Sequence, residues 1–400
     1  FPLAKKFGSQ ALRGVGGTQK QEVDARGRVV RNLERSEPTK GADVVLTIDA
    51  GLQSRVMERV RRERRAGLVA VDVVTGAVIA AASVPSRDQS ALKAQEWSRI
   101  ADAPDDPLFD RALTGLYPPG STLKMVTALA ALEAGVVSLK ERIECAGTYR
   151  YADQSFRCWN RSGHGSCDLH RALRESCDCY FYEIARRTGI GALASMGQRL
   201  GLGQTWQGLG RQRAGVMPTP DWKRARFAKP WHGGETLLAG IGQGFVLATP
   251  LQLAVMTARI ASGRGVEPHL VVPTDRPGAL AAVAPLDVAP AHLEAVRRGM
   301  LAVVNEDGGT GRYAQIDEDE TGMAGVRLAG KTGTSQVSRR SSEVGADGLR
   351  FEQRDHALFV GYAPAKAPRI AVAAVVEHGA SGGRVAAPLV RDVMSLLLAS

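Results

Sequence analysis

Cysteine is scarce in this chain of 400 residues: there are five, all between positions 145 and 179. A disulfide framework running through the whole fold is excluded, and whatever the cysteines do is done in one place. Aromatic residues make up only 5% of the chain and are not interleaved with the basic ones, as in "RVRRERR" from Arg59 to Arg65, so no nucleic-acid partner is expected. No apolar run reaches 18 residues, which leaves no transmembrane helix within the sequence. The chain begins at Phe1 without a methionine or signal peptide, and we expect it to be an excised portion whose anchor lies outside it. Acidic residues are outnumbered 41 to 52 by Lys and Arg, giving a net charge of +11, which suits an anionic membrane surface or polymer as neighbour. Internal repeats are lacking.

What is present is ample core material, 44% hydrophobic residues. Residues 1 to about 40 are Gly-rich and basic, with one hairpin expected around Ala25 to Arg28. They cannot form a core, so residues 1–42 read as the remnant of an accessory domain and 43–400 as the main domain. "DVVLTID" (43–49) is expected as a strand. Asp49 then caps a helix carrying Leu52, Val56 and Val60 on one face, and "GLVAVDVVTGAVIAAAS" is expected as a hairpin turning at Thr75 and Gly76. Three later runs, "VRLAGKTGTS", "HALFVGYAP" and "RIAVAAVVEH", predict strands. Helices are predicted after Thr249, with Pro250 at the first position, and over Ala387 to Leu398. The fold class is therefore α/β, of the α+β kind: one five-stranded antiparallel sheet flanked by helices, with an all-helical insertion of more than 200 residues.

Chemistry enters at "YPPGSTLKMVTALAALEAG", Tyr117 to Gly135. The helix is apolar nearly all round from Met125 to Leu132, yet it opens with Ser121 and Lys124 on one face. Ser121 as a helix cap with Lys124 reaching the surface is one reading. A serine nucleophile with a desolvated lysine as its base is the other. Downstream, "RESCDCYFYEIA" supplies Ser176 and Asp178, which face one way if the segment is extended. "KTGT" puts Lys331, Thr332, Gly333 and Thr334 on a strand edge able to bind a peptide by strand addition.

Ser-x-x-Lys, Ser-x-Asp and Lys-Thr-Gly in this order form the set found in penicillin-binding proteins and class A β-lactamases. Ser176 lies 55 residues after Ser121 and Lys331 lies 210 after it. With "VDVVTGAVIAAASVPSRD", "KPWHGGETLLAGIGQGFVLATPLQLA" and "HALFVGYAP", the chain from Asp43 onward resembles the class B penicillin-binding proteins. Asp178, Trp231 and "GIGQG" make it most similar to the cell-elongation branch, penicillin-binding protein 2; division paralogues usually carry Asn at the Asp178 position.

The resemblance implies a serine β-lactamase/transpeptidase-like fold and a D,D-transpeptidase anchored at the periplasmic face of the inner membrane. Such an enzyme cross-links peptidoglycan stem peptides from a lipid-linked precursor, is acylated by β-lactams, and works with a membrane glycosyltransferase and elongation-complex proteins. Residues 1–42 become leftover pedestal. Ser121 is implied as nucleophile, Lys124 as base, and the N–H groups of Ser121 and Thr334 as oxyanion hole. Ser176 is implied as proton relay, Asp178 as orienting group, and Lys331 with Thr332, Gly333 and Thr334 as the shelf for the substrate carboxylate. No organic cofactor is implied. A β-lactamase needs a water-activating Glu-x-x-Leu-Asn; the nearest segment, Glu235 to Ala239, lacks the Asn. A D,D-carboxypeptidase and a penicillin sensor that does not turn over remain alternatives.

The cysteines allow disulfides or free buried thiols, but they are odd in number and accompanied by His164. Cys145, Cys158, His164 and Cys177 are spaced 13, 6 and 13 apart, enough for a structural zinc gathered from a loop and the next helix. Cys177 is chosen because Ser176 and Asp178 must face the cleft; Cys167 rivals Cys145. Related elongation enzymes that carry Asp in some of these positions support a metal.

Overall fold

The runs "AGLVAVD", "VIAAASV", "HALFVGYA" and "IAVAAVV" are apolar on both sides of the chain, as strands covered on both faces must be. The computed structural model, which describes residues 12–86, 100, 103–272, 283–317, 325–337 and 349–399, builds them into one sheet. In chain order, β1 (Thr18–Val23) and β2 (Val29–Ser36) form a separate hairpin, and β3 (Ala66–Asp72) and β4 (Val78–Val84) begin the main sheet. The sheet is completed by β9 (Ala329–Ser335), β10 (His356–Ala363) and β11 (Ile370–Val376), in the antiparallel order β4-β3-β11-β10-β9. The expected five-stranded sheet is thus present, with Lys331 to Thr334 on its edge strand.

Alternation sorts the side chains of β11. Ala371, Ala373 and Val375 join the core beneath the helical insertion, whereas Val372, Ala374 and Val376 join a second core. That second core is covered by α1 (Ala50–Val60), whose Val56 and Val60 are fully buried, and by the C-terminal helix Ala387–Leu398. Asp49 caps α1 as expected, its carboxylate accepting from the Leu52 N–H at 2.7 Å.

The insertion contains α2 (Lys124–Glu133), α3 (Leu169–Arg174), α4 (Asp178–Arg199), α5 (Pro220–Phe227), α6 (Gly233–Gly240), α7 (Pro250–Ser262) and α8 (Pro290–Asn305); the C-terminal helix is α9. It is not all helical. Four strands of three or four residues, β5 (Ile143–Cys145), β6 (Thr148–Tyr151), β7 (Gln154–Arg157) and β8 (Gly165–Cys167), pair as β5-β8 and β6-β7. Strands so short carry no readable period. A second correction concerns residues 43–49, which form only an isolated bridge, Leu46 to Val271. Thr47 spends its hydroxyl on the carbonyl of Val78, at 2.7 Å, so the segment is stitched to the β4 side without entering the ladder.

The β1–β2 hairpin is exposed along its whole length. Its strands meet through cross-strand pairs such as Lys20 with Glu34 at 2.6 Å, worth little in water. Among the described residues no helix is long and apolar enough to cross a membrane.

Candidate active site

The turn Pro118-Pro119-Gly120 exists to bring two backbones together. Gly120 has φ +55°, and a Cβ there would lie 2.5 Å from the carbonyl oxygen of Thr334; its N–H donates to Gly242 O at 2.8 Å. Only glycine fits between β9 and the loop after α6. Ser121 follows in a single 3-10 turn, Gly120–Leu123, that runs into α2. It lines a cleft of roughly 1010 Å3, and none of the described residues holds its hydroxyl.

Lys124 is fully buried at the first position of α2. Its Nζ is not hydrogen-bonded to Ser121; it donates to Asp178 Oδ1 at 2.7 Å, Ser176 O at 2.8 Å and Ser176 Oγ at 3.2 Å. The segment that carries these partners is not extended, so the condition on which the sequence placed Ser176 and Asp178 on one side is not met. Helix α3 ends at Arg174 with Glu175 as its C-cap, Ser176 takes a left-handed conformation with φ +57°, and Cys177 is the N-cap of α4, which begins at Asp178. The two side chains reach Lys124 because a tight helix-to-helix turn reverses the chain, at a local cost of about 1 kcal/mol for a non-glycine in that region.

The other face of Ser176 meets the third motif. Lys331 Nζ donates to Ser176 Oγ at 3.0 Å and to Thr332 O at 3.2 Å, and Lys331 is wholly enclosed. Burial, reinforced by the charge of Lys124 and opposed by Asp178, pushes its pKa well below the ordinary lysine range. One hydroxyl therefore lies between two lysine nitrogens. Thr332 shares a hydrogen bond with Thr310 at 2.8 Å, while Thr334 is exposed in the cleft. A Cβ at Gly333 would come 2.9 Å from Pro119 O, so this glycine, like Gly120, permits the close approach of strand and turn.

Two supports escaped the sequence reading. Trp159 donates its backbone N–H to Asp178 Oδ2 at 2.8 Å and its indole N–H to Ser176 O at 3.1 Å. Gln243 donates through Nε2 to Thr334 O at 3.1 Å. Gln243 lies inside the "GIGQG" segment and Trp159 beside Cys158, but neither has a local pattern that announces its target. Glu235, weighed as a water activator, is engaged elsewhere: its carboxylate pairs with Lys223 and accepts from the His232 N–H.

Behind the Ser176–Asp178 turn, the ligand atoms of Cys145, Cys158, His164 and Cys177 lie within 4.8 Å of one another, all buried. His164 Nδ1 is 3.5 Å from both Cys145 Sγ and Cys158 Sγ. A tetrahedral zinc with bonds of ~2.3 Å to sulfur and ~2.0 Å to nitrogen separates such atoms by about 3.6 Å, so the donor set fits that ion. Cys167, the rival, instead directs its sulfur to His164 O at 3.9 Å. All five cysteines are free. The cluster touches the Ser176–Asp178 turn directly, because the Asp178 N–H donates to Cys158 Sγ at 3.4 Å.

A family model described as penicillin binding protein transpeptidase domain matches residues 66–395. The chain belongs to this family. Among curated relatives, this transpeptidase-family chain is 36% identical to peptidoglycan D,D-transpeptidase MrdA of Acinetobacter baumannii, over 94% of its own length and 57% of the relative's. The first curated relatives are thus matched over less than two thirds of their length. Among solved structures, it matches PBP2 of Pseudomonas aeruginosa, in complex with WCK 5153, with a TM-score of 0.79 and 39% identity, covering 92% of this chain and 78% of the other. PBP2 of Helicobacter pylori, in complex with MreC, matches with a TM-score of 0.82 and 28% identity, over 97% and 70%. The elongation-type resemblance noted in the sequence agrees with these relatives.

Proposed function

We propose that the chain is the catalytic part of a peptidoglycan D,D-transpeptidase in which Ser121 forms the acyl-enzyme. The observation that carries this is the junction of three motifs at one hydroxyl: Ser176 Oγ lies 3.2 Å from Lys124 Nζ and 3.0 Å from Lys331 Nζ, in the cleft that Ser121 also lines. Ser121 Oγ attacks the carbonyl between the last two D-alanines of a stem peptide. Lys124 takes the hydroxyl proton, in its neutral form at the moment of attack. Lys331 is the lysine that burial drives toward neutrality, and the Ser176 hydroxyl links it to Lys124, so the pair can hold a free base between them. The Ser121 and Thr334 N–H groups receive the developing oxyanion, worth roughly 3 kcal/mol each in comparable enzymes. The C–N bond breaks, Ser176 relays a proton to the leaving amine, and D-alanine departs. An amine of a second stem peptide then attacks the ester, and Ser121 regains its proton. Asp178 orients Lys124, and the hydroxyls of Thr332 and Thr334 face the substrate carboxylate.

The same reading assigns residues 43–400 to the transpeptidase domain and 1–42 to the remnant of a pedestal. It places the enzyme at the periplasmic face of the inner membrane, anchored by a segment outside this chain, and makes it a target of β-lactams, as the family's penicillin binding suggests. The Helicobacter relative's complex with MreC supports elongation-complex partners, and a membrane glycosyltransferase supplying glycan from lipid-linked precursor fits the same role. A hydrolase is disfavoured because the Glu235 carboxylate is taken up by Lys223 and His232.

Cys145, Cys158, His164 and Cys177 would hold a structural zinc. A closed four-ligand site of this kind supplies folding stability rather than a reacting group. What this chain's residues gain is a fixed backbone at Cys158, Trp159 and Cys177, and through the Trp159 N–H a fixed Asp178.

Incubation with a fluorescent penicillin and with a stem pentapeptide tests the function. Ser121→Ala should abolish labelling and D-alanine release while the thermal transition stays within a few degrees of wild type. Labelling that survives in this variant would refute the assignment.

A further inference from the structure

The shelf for the substrate carboxylate has a gap in its charge. Lys331 has no exposed surface, and its Nζ is spent on Ser176 Oγ and Thr332 O. It lies beneath the shelf rather than on it. Lys124, also without exposed surface, is paired with Asp178. The groups that do face the cleft at the shelf, Thr332 and Thr334, are neutral hydroxyls, whereas a carboxylate bound out of water needs a cation or several charge-assisted donors.

Of the exposed guanidiniums that line this cleft with no acceptor among the described residues, those of Arg157, Arg161 and Arg384, the last is the one whose backbone adjoins the shelf. Arg384 lines the same cleft as Thr310, Thr332, Gly333 and Thr334 and is exposed. None of the described residues accepts a hydrogen bond from its side chain; its one bond uses the backbone N–H, donated to Ser381 Oγ at 3.3 Å. Arginines elsewhere in the fold are commonly paired, as Arg59 is with Asp392 at 2.6 Å and Arg64 with Asp105 at 2.9 Å.

The backbone that carries Arg384 is pinned to the Lys-Thr-Gly strand. A Cβ at Gly382 would lie 2.2 Å from Gly333 O, and one at Gly383 would lie 2.5 Å from Thr310 O, so both glycines are pressed against the shelf. The main chain is thereby fixed at the shelf and the side chain left free over the cleft. A planar guanidinium is suited to a carboxylate through two parallel N–H bonds.

We propose that Arg384 supplies the cationic contact for the terminal carboxylate of the substrate. This rests on the transpeptidase reading above and redistributes its parts. Arg384 binds the anion together with the Thr332 and Thr334 hydroxyls, which leaves Lys331 to Ser176 and the proton traffic. The ligand class is a peptide, or a β-lactam imitating one, with a free carboxylate next to the bond that breaks.

The test compares second-order acylation of Ser121 by benzylpenicillin and by the same compound with its carboxylate converted to a carboxamide. Wild type should prefer the carboxylate. Arg384→Gln should slow acylation by the carboxylate by about 10- to 100-fold, the range for loss of a hydrogen bond to a charged group, and bring the preference toward one. Arg384→Lys should recover part of it, and raised salt should weaken the wild-type preference. The inference is overturned if the Gln variant keeps the wild-type preference, including the case in which both rates fall together because the segment has been disturbed. Absence of Ser121 acylation by either compound in wild type would instead overturn the transpeptidase reading and this inference with it.

Discussion

Gly120→Ala offers a sharp test of how the nucleophile is positioned. The glycine sits at φ +55°, where an alanine costs about 1–2 kcal/mol. Its added Cβ would meet the Thr334 carbonyl oxygen at 2.5 Å and the Thr334 nitrogen at 3.2 Å, both backbone atoms that cannot swing aside. Turn and strand must separate by at least half an ångström or so, with an overpacking cost of about 1–3 kcal/mol. We expect the two effects together to lower the thermal transition by several degrees. The larger consequence is catalytic. The strain falls between Ser121 and Thr334, whose N–H groups form the oxyanion hole in the proposed mechanism, and misplacement by about 1 Å can cost about 100-fold in rate. Acylation by a fluorescent penicillin should therefore slow by one to two orders of magnitude, while Gly135→Ala, at φ +65° with open space around it, should affect stability alone. If Gly120→Ala acylates within about threefold of wild type, a barrier change under about 1 kcal/mol, the argument that this glycine sets the oxyanion geometry is wrong.

Three further outcomes are expected. Asp178→Ala, which removes the 2.7 Å partner of Lys124 and the acceptor for the Trp159 N–H, should slow acylation far more than Asp178→Asn, which keeps an acceptor; equal rates in stopped-flow labelling would make the carboxylate a bystander. His356 is pushed down from 6.5 to about 4, by burial first and then by His378, with Glu377 opposing. The unfolded chain thus binds a proton that the folded one refuses, and stability should be whole above pH 6.5 and fall as pH drops toward 4, by about 3 kcal/mol at about 1.36 per pH unit. His356→Asn should flatten that part of a denaturant-unfolding series, and an unchanged slope would show that another group controls it. Metal analysis of purified protein should find about one zinc per chain, and Cys145→Ser should lower both the zinc content and the thermal transition; zinc below half occupancy with two intact disulfides would refute the metal site.

Much of the fold was legible because local chemistry and final structure agree. Four of the five sheet strands are apolar runs ended by Gly, Pro and polar turns, the fifth is the Lys-Thr-Gly run itself, and Asp49 and Thr249 cap their helices as such residues do without tertiary help. Segments that depend on distant partners were not legible. Residues 43–49 have the composition of a strand, but Thr47 meets β4 only through its side-chain hydroxyl on Val78 O and gives its N–H to Leu270 O, so the segment pairs with no strand of the ladder. The strands β5 to β8 are three or four residues each, below the length at which alternation says anything.

The site divides the same way. Sequence by itself determined which groups are available: a serine and a lysine three residues apart at a helix start, a serine and an aspartate two apart, a lysine before Thr-Gly-Thr, and five cysteines and a histidine in one stretch. Spacing along one element is covalent geometry, so it survives translation from sequence. Only the tertiary structure decided who touches whom: Ser176 rather than Ser121 bonded to Lys124, Trp159 locked on Asp178, Cys145 rather than Cys167 in the cluster with His164, Lys331 enclosed and bonded to Ser176, and Arg384 in the cleft with no acceptor among the described residues. Lys331 reaches Ser176 across 155 positions and Trp159 reaches Asp178 across 19. These contacts are fixed by a left-handed turn at Ser176 and by glycines that let backbones approach, and the contact that requires such a residue lies elsewhere in the chain.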